Sequence, residues 1–491
     1  MELTTNNPTN KLIARSIIGI LFVYACIILY LSPGTFDTGD GIQHYLIARY
    51  AWHHHHLFVD DWGKPLFTML SSPFAQFGLK GITIFNILCG LGASYLAYKI
   101  AEKLSLPYPY LAIIFTFSAP IYFSVVNSGL TEPLFSLMLI GCIWLILNKR
   151  YYLSAIVFSF LPFVRAEYVF VLPLFVFYYI YKKKYLANFL LPFGTIVISI
   201  IGFFYYKNFL WLISQNPYSD ANSKAYGDVK GTLLWYPDRF REITGIALAL
   251  LILIGLLWYA GGEYLNRRRS TNTEKKNNYQ LEEVFLILGS FFNIFAGHTL
   301  IWATGVFPTL GLCRYMALLI PLASIIALRG LQLINLLPGA IKMPRLKTII
   351  LVCAVIAVLY SPYMVWYKIP FTLDPEDVVI KEATDWLKQT PDANKKMFYL
   401  APFITPALNI DAYDTGKRGE LWSMNYRHPE WNMPHGSIMI WDSHFGPNEG
   451  RIKLDTLMKD TNLTLLRKFD PVEKFTVIGR MDYGVWIFKR K

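Results

Sequence analysis

Two aspartates stand close together just after the first apolar run of the sequence. Asp37 and Asp40 flank Gly39, so the backbone between their carboxylates is flexible. A carboxylate in such a loop can act as a general base on an acceptor hydroxyl or amine. The same residues suit the start of an interfacial helix through His44 and Tyr45, because an aspartate is a favoured helix cap. The base and the cap are compatible interpretations.

A second polar motif follows in the same stretch of chain. Asp61, Trp62 and Lys64 combine an acid, an aromatic ring and a cation just before Pro65. This combination suits an anionic headgroup joined to a sugar. An ordinary interfacial loop with a tryptophan anchor is the alternative, because tryptophan is enriched at membrane surfaces.

Charged residues interrupt or border apolar stretches at three further places. Glu132 precedes an apolar run, where a helix dipole would favour its negative charge. Arg165 and Glu167 interrupt another run, and charges at membrane depth are costly and tend to face functional cavities. A mutually neutralising pair near the surface is the alternative for these two. Arg314 begins a later run, where its planar fork could bind a phosphate or reach the lipid headgroups by snorkelling.

Neither the histidines nor the cysteines predict a metal site. Residues 53–56 are four consecutive histidines, but successive helical side chains point about 100° apart, so a regular helix cannot aim all four at one ion. The five cysteines are scattered, mostly inside apolar runs, and form no CxxC pair. No metal ligand and no cofactor is therefore predicted, although a divalent cation is left open.

The composition is that of an integral membrane protein. Of 491 residues, 54% are hydrophobic and 16% are charged, and the mean hydropathy is +0.36. Soluble domains carry about 25% charged residues, so this chain has too little charge to cover a water-facing surface. The net charge of +13 would suit nucleic acid in a soluble protein, but most basic residues of the short loops border apolar runs. Membrane topology therefore explains the charge, and no nucleic acid partner is expected.

The apolar runs predict an α-helical, multi-pass membrane domain over residues 1–367, with about eleven spans. The runs lie at 12–31, 81–101, 108–126, 133–148, 153–164, 167–181, 186–206, 244–261, 284–303, 315–334 and 348–367. Basic residues such as Lys11, Lys103 and Lys183 collect at alternate ends of the runs, which predicts a cytoplasmic N-terminus. The first loop, 32–78, and the second loop, 207–243, are then extracytoplasmic, in a bacterial periplasm or an equivalent lumen.

The stretch 153–181 is too long for a single span and carries basic clusters at both ends. Pro162, Arg165 and Glu167 interrupt its middle. We therefore predict two short helices that meet below the extracytoplasmic surface, where a non-helical backbone must line a protein cavity or water.

Residues 368–491 predict a small C-terminal α/β domain on the extracytoplasmic side. A helical pattern covers 375–389. Four strand-like runs follow, at 397–400, 437–441, 463–466 and 485–488.

The order of these elements resembles the GT-C superfamily of polyprenyl-phosphate-sugar-dependent glycosyltransferases. This superfamily includes the dolichyl-phosphate-mannose protein mannosyltransferases and the aminoarabinose transferase of lipid A. The resemblance covers roughly residues 12–367, and Gly41 stands where the family's first-loop motif usually has a second acid. Five elements carry the resemblance: Asp40 with Tyr45, Trp62 to Phe67, Thr131 to Pro133, Arg165 to Glu167, and Arg314 with Tyr315.

The resemblance implies an inverting glycosyltransferase whose donor is a polyprenyl-phosphate-linked sugar. Asp40 would be the catalytic base, with Asp37 as a second candidate. The residues implied to bind the donor phosphate are Arg165, Arg314 and Lys64, and those implied to bind substrate are His44, Tyr45, Asp61, Trp62, Glu132 and Glu167. Membrane lipids would surround the protein, and the acceptor would be a glycan, a lipid or a protein.

Two other functions compete with this one. A transporter or flippase of lipid-linked sugars would have two matching halves with interrupted helices in corresponding positions. The sequence has one clearly interrupted pair of helices, at 153–181, and a large tail on one side of the membrane, so it does not show the two matching halves of a transporter. A polymerase or ligase of sugar polymers would share the membrane plan and differ in its acceptor.

Overall fold

The computed structural model describes residues 8–215, 230–262, 280–307, 309–336, 344–365, 368–421, 424–478 and 481–491. Helices dominate this chain up to Met364, and a five-stranded sheet lies in the tail, residues 368–491. Residues 216–229 of the second predicted loop lie outside the described residues.

The helical part combines long helices with short, broken ones. Its α-helices are Pro8–Leu31, Asp40–Tyr50, Pro65–Ala75, Leu79–Lys103, Leu111–Phe117, Pro120–Val126, Glu132–Leu147, Tyr151–Phe158, Tyr168–Tyr181, Tyr185–Leu190, Phe193–Tyr206, Trp211–Ser214, Trp235–Asp238, Phe240–Thr244, Ile246–Leu257, Gln280–Glu282, Gly289–Thr304, Ile320–Leu336 and Pro344–Met364. Tighter 3₁₀ turns span His55–Val59, Leu161–Phe163 and Cys313–Leu319, and π-helical segments span Trp258–Gly262 and Glu283–Leu288.

Five helices in the described part of the chain are long and apolar enough to cross a membrane. They are Pro8–Leu31, Leu79–Lys103, Tyr185–Tyr206, Glu283–Thr304 and Cys313–Ile334. Five shorter apolar helices accompany them: Glu132–Leu147, Tyr151–Phe163, Tyr168–Tyr181, Ile246–Gly261 and Thr348–Met364. The chain is thus a multi-pass membrane protein, and these two groups match every predicted apolar run except 108–126.

The predicted run 108–126 is two short helices in the structure rather than one span. The first ends at Phe117 and the second begins at Pro120. Ala119 adopts an extended backbone, as residues before proline usually do. Because proline also lacks the N–H that a continuous helix needs, Pro120 breaks the run, a feature that the hydropathy pattern alone did not reveal.

The predicted break inside 153–181 is confirmed. One helix ends at Phe158, a 3₁₀ turn covers Leu161–Phe163, and the next helix begins at Tyr168. Pro162 lies in that turn and cannot donate to a helical ladder. Arg165 and Glu167 consequently sit on the connection between two short helices rather than inside one long helix.

The tail forms the predicted α/β unit around one mixed sheet. Its α-helices are Pro375–Lys388, Ile404–Leu408, Phe445–Asn448 and Leu454–Lys459, and its 3₁₀ turns are Pro391–Asn394 and Pro429–Asn432. Its strands are β1 Met397–Tyr399, β2 Arg418–Glu420, β3 Ile438–Asp442, β4 Leu463–Phe469 and β5 Val485–Arg490. The order is β2-β1-β3-β5-β4, with β1 parallel to β2 and β3, and β5 antiparallel to β3 and β4. Strand β2 was not predicted, because three residues with two charges carry no strand pattern.

Alternating side chains give the tail sheet two apolar faces. On one face, Tyr399 and Ile440 pack with Ile380 and Leu387 of the helix Pro375–Lys388. On the other face, a second cluster forms around Trp441. All five residues of β3 are buried, as expected for a strand covered on both sides.

An acidic cluster lies where the tail meets the first loop. Thr38 donates a hydrogen bond to Asp374 at 3.0 Å. Asp377 is buried close to this bond. Burial raises the pKa of Asp377 to about 8, with the nearby carboxylates Asp374, Glu376 and Asp37 acting in the same direction and Thr38 in the opposite one. Asp377 is therefore mostly uncharged at neutral pH.

We expect Asp377→Asn to make the folded protein less sensitive to alkaline pH. Because the pKa of this carboxyl rises from 3.8 to about 8 on folding, the stability it contributes is complete below about pH 4 and is lost as the pH rises through about 8. Thermal unfolding of the detergent-solubilised protein at about pH 5 and about pH 9 should show a smaller loss in Asp377→Asn than in the wild type. Asp455→Asn, at an exposed position of the tail, is the control. Equal losses in all three proteins would contradict this assignment.

Candidate active site

The first-loop helix Asp40–Tyr50 carries the candidate base at its N-terminus. The N-cap residue is Gly39, and Asp37 Oδ1, not Asp40, accepts a hydrogen bond from the Gly41 N–H in the first turn, at 2.8 Å. The Asp40 side chain, at the first helical position, does not cap the helix. A Cβ atom on Gly129 would lie 2.2 Å from the Gly41 carbonyl oxygen, so the loop and the bundle meet backbone to backbone here.

Arg314 joins both aspartates of the first loop. Its two terminal nitrogens donate to Asp37 Oδ2 and Asp40 Oδ2, and its Nε lies 3.8 Å from Glu132 Oε1. The Arg314 side chain is 7% exposed, which excludes the snorkelling alternative. The 3₁₀ turn Cys313–Leu319 places this buried guanidinium against the first loop, 274 residues away in sequence from Asp40.

Arg165 forms a second charged centre beside the first. It pairs with Glu132 at 2.9 Å and with Glu167 at 2.6 Å, and it donates to the Thr131 hydroxyl at 2.9 Å. Glu132 is fully buried at the start of its helix and faces both arginines. The neutralising pair of Arg165 and Glu167 does form, but inside this cluster instead of near the surface.

An aromatic stack lies against the two arginines. The guanidinium carbons of Arg165 and Arg314 lie 5.4 and 5.7 Å from the centre of the Tyr315 ring. His298 stacks on the same ring at 4.9 Å, with 9° between the planes, and its Nε2 is 3.6 Å from Glu167. His298 was not predicted, because one histidine within an apolar run gives no pattern.

Lys64, His44 and Trp62 approach the cluster from the first loop. Burial lowers the pKa of Lys64, while the nearby carboxylates of Asp61 and Glu167 act to raise it. The Lys64 ammonium also donates to the Asp61 carbonyl oxygen at 2.8 Å. His44 stacks on Trp62 with ring centres 4.8 Å apart. Burial lowers the pKa of His44 to about 3, against the opposing effect of Asp40, so this ring is neutral at physiological pH.

Tyr45 has different surroundings from the rest of the predicted set. Tyr45 is buried in the apolar core, where burial raises its pKa and Arg49 acts to lower it. Asp61 accepts a hydrogen bond from Lys64 through its backbone carbonyl, and its carboxylate is close enough to act on the pKa of Lys64. The structure thus brings together Asp37, Asp40, His44, Lys64, Glu132, Arg165, Glu167 and Arg314.

The two aspartates differ in exposure and in the direction in which their pKa values are shifted. The Asp40 side chain is 47% exposed, against 21% for Asp37. Burial acts to raise the pKa of Asp40, but Arg314, His44 and Arg165 outweigh it and the pKa is lowered. For Asp37, burial outweighs Arg314 and the pKa is raised. Asp40 is therefore ionised and open to solvent, as a proton acceptor must be.

The described residues contain no group of three or more histidine, cysteine, aspartate or glutamate side chains that could hold a metal ion. Asp37, Asp40 and Glu132 instead turn their carboxylates toward arginines. The cluster joins three cations to four carboxylates, which allows it to hold a charged ligand through exchange of partners.

Comparison with known proteins identifies the fold. No protein-family model matches the sequence, and no curated protein matches it. The structure is similar to a crystal structure of ArnT from Cupriavidus metallidurans bound to undecaprenyl phosphate, with a TM-score of 0.53, 10% identity, and coverage of 95% of this chain and 97% of that chain. The structure of the same protein in the apo state matches with a TM-score of 0.56 and 10% identity, and the match covers 96% of this chain and 98% of that chain. The chain therefore has the ArnT-like fold over nearly its whole length, with a mostly helical membrane part and a mixed sheet in the C-terminal tail.

We expect Arg314→Ala to destabilise the folded protein by about 3–5 kcal/mol, because it leaves Asp37 and the buried Glu132 short of a cation. Arg314→Lys should recover only part of this loss, since one ammonium cannot bridge both aspartates as the planar fork does. Thermal or denaturant unfolding in detergent would measure both changes. Arg427→Ala, at an exposed position of the tail, is the control. An unchanged unfolding midpoint in Arg314→Ala would show that these ion pairs add no net stability.

Proposed function

We propose that this protein is a membrane glycosyltransferase that moves a sugar from a polyprenyl-phosphate donor to an acceptor on the side of the first loop. The observation that carries the proposal is the meeting of Arg314 with Asp40, inside a fold shared with an undecaprenyl-phosphate-bound protein. A transferase with a lipid-linked donor needs a base open to solvent and cations at the depth of the lipid phosphate. Asp40 is the proposed base, and Arg314, Arg165 and Lys64 are the proposed cations for the lipid phosphate.

The chemistry is a single displacement. Asp40 removes a proton from an O–H or N–H of the acceptor, and that atom attacks the anomeric carbon of the donor sugar. The bond from this carbon to the phosphate oxygen breaks, and its electron pair stays on the polyprenyl phosphate. One attack from the opposite face inverts the configuration of the anomeric carbon.

Carboxylates hold both arginines in place. Asp37 and Asp40 fix the guanidinium of Arg314, and Glu132 and Glu167 fix that of Arg165. A donor phosphate can take over N–H groups that now point at carboxylates, so little reorganisation is needed. His44, Trp62 and Lys64 line the same region and are the proposed contacts for the sugar and the phosphate.

Donor binding would also strengthen the base. Arg314 lowers the pKa of Asp40, and an Asp40 carboxylate paired in this way is a weak base. A phosphate that takes part of the Arg314 fork brings negative charge close to Asp40 and raises its pKa. The base is then strongest when the donor is in position, which limits unproductive proton transfer.

Phosphate recognition can be tested without knowing the sugar. We expect undecaprenyl phosphate, but not undecaprenol, to raise the unfolding temperature of the purified protein. Lys64→Gln should weaken this binding about tenfold or more, because a charge-assisted hydrogen bond contributes about 1.5–3 kcal/mol. Lys474→Gln, at an exposed position of the tail, is the control. Equal stabilisation by undecaprenol would mean that the protein recognises the lipid tail alone.

Turnover tests the base. In lipid vesicles supplied with a panel of undecaprenyl-phosphate-linked sugars and a membrane extract as acceptor source, we expect the wild type to release free undecaprenyl phosphate. Asp40→Asn should reduce the release by about 10²–10⁴-fold while the protein stays folded. Asp470→Asn, an exposed carboxylate of the tail, is the control. Full activity in Asp40→Asn would reject its role as base, and movement of intact donor across the vesicle without release would indicate a flippase.

A further inference from the structure

The tail is hydrogen-bonded to the first loop on the N-terminal side of the two aspartates. The Gly34 N–H donates to the Phe371 carbonyl at 3.0 Å, and the Phe371 N–H donates to the Ser32 hydroxyl at 2.9 Å. A Cβ atom on Gly34 would lie 2.1 Å from the Thr372 carbonyl oxygen. The chain leaving the last membrane helix is therefore packed directly on the chain that leaves the first one.

The next contact falls between the two aspartates themselves. Thr38 lies between Asp37 and Asp40, and its hydroxyl donates to Asp374 Oδ2 at 3.0 Å. Asp374 occupies the N-cap position of the helix Pro375–Lys388, where an aspartate usually accepts a hydrogen bond from its own helix. Its side chain makes no such cap and turns to Thr38 instead.

Further contacts continue along the first-loop helix and beyond it. The Gln43 amide donates to the Tyr413 hydroxyl at 3.3 Å, and the Tyr50 hydroxyl donates to the Ile410 carbonyl at 2.8 Å. His54, within the four-histidine run, meets Asp411 at 2.9 Å. The tail thus follows the first loop from Ser32 to His54 and contacts it on both sides of Asp40.

The opposite side of the same loop rests on the membrane bundle. The Thr35 hydroxyl and the Phe36 N–H both donate to the Asn127 carbonyl, at 3.0 and 3.3 Å. Gly41 lies against Gly129. The segment that carries both aspartates is therefore clamped between the bundle and the tail.

We propose that the tail is a positioning element of the active site, and that Asp374, acting through Thr38, holds Asp37 and Asp40 in register with Arg314. This inference rests on the proposed function. Asp374 touches no reacting group and works through the loop. A displacement of about 1 Å at a reacting group can cost a hundredfold in rate, so one hydrogen bond at Thr38 can control turnover.

Paired variants separate positioning from general folding. Thr38→Val keeps the shape of the side chain and removes the hydroxyl, whereas Thr38→Ser keeps the hydroxyl. We expect Thr38→Val and Asp374→Asn to lower kcat by about tenfold or more with KM changed less than about threefold, and Thr38→Ser to restore most of kcat. Asp411→Asn removes the charge from another contact between tail and loop, at His54 beyond the C-terminal end of the helix Asp40–Tyr50, and should leave kcat within about twofold of the wild type.

A second measurement does not depend on turnover. Hydrogen–deuterium exchange of peptides covering 36–45 should speed up in Thr38→Val and Asp374→Asn but not in Thr38→Ser. A wild type without turnover would overturn the proposed function, and the exchange result would still decide whether the tail orders the loop. Unchanged kcat and unchanged exchange in Thr38→Val would overturn the positioning proposal. So would an equal loss of kcat in Asp411→Asn, because the tail would then act through general docking.

Discussion

A charge buried in an apolar bundle is costly unless it is paired, and this constraint organises the part of the molecule that carries the first loop. Glu132 is fully buried and lies beside two arginines from distant parts of the chain. Arg165 lies in the break before Tyr168, and Arg314 lies in the 3₁₀ turn that begins at Cys313. The first-loop aspartates complete the balance of charge. The break in the helix and the 3₁₀ turn thus each supply an arginine that neutralises the buried carboxylates.

The same pairing explains why the first loop has a defined structure. A glycine-containing segment between two helices would otherwise sample many conformations. Here Asp37 is fixed twice, as the acceptor of the Gly41 N–H in the first turn of the first-loop helix and as a partner of Arg314. Thr38 is held by the tail, and Gly41 by the bundle. Stability and proposed chemistry therefore depend on the same side chains, so variants here must be judged on both.

The sequence revealed what depends on local pattern and missed what depends on contact between distant segments. Hydropathy located the apolar helices, Pro162 marked a true break, and the longer tail strands followed from their apolar runs. The hydropathy of residues 108–126 predicted one span, but Pro120 divides this run into two short helices. The residue that accepts a hydrogen bond at the start of the first-loop helix is Asp37 and not Asp40. No local signal could have shown that His298 would stack on the ring beside Arg314, or that a histidine run would meet the tail.

The separation in sequence between the first loop and the tail has a consequence for synthesis of the protein. Thr38 and Asp374 are 336 residues apart. At about 5–20 residues per second, a ribosome needs on the order of half a minute to connect the two. The first helices can insert and pack in that interval, while the aspartate loop waits for a partner that has not yet been made. Synthesis of the tail thus adds the last of the contacts that hold the loop, and a nascent chain that stalls before Asp374 would be inserted in the membrane without the hydrogen bond at Thr38.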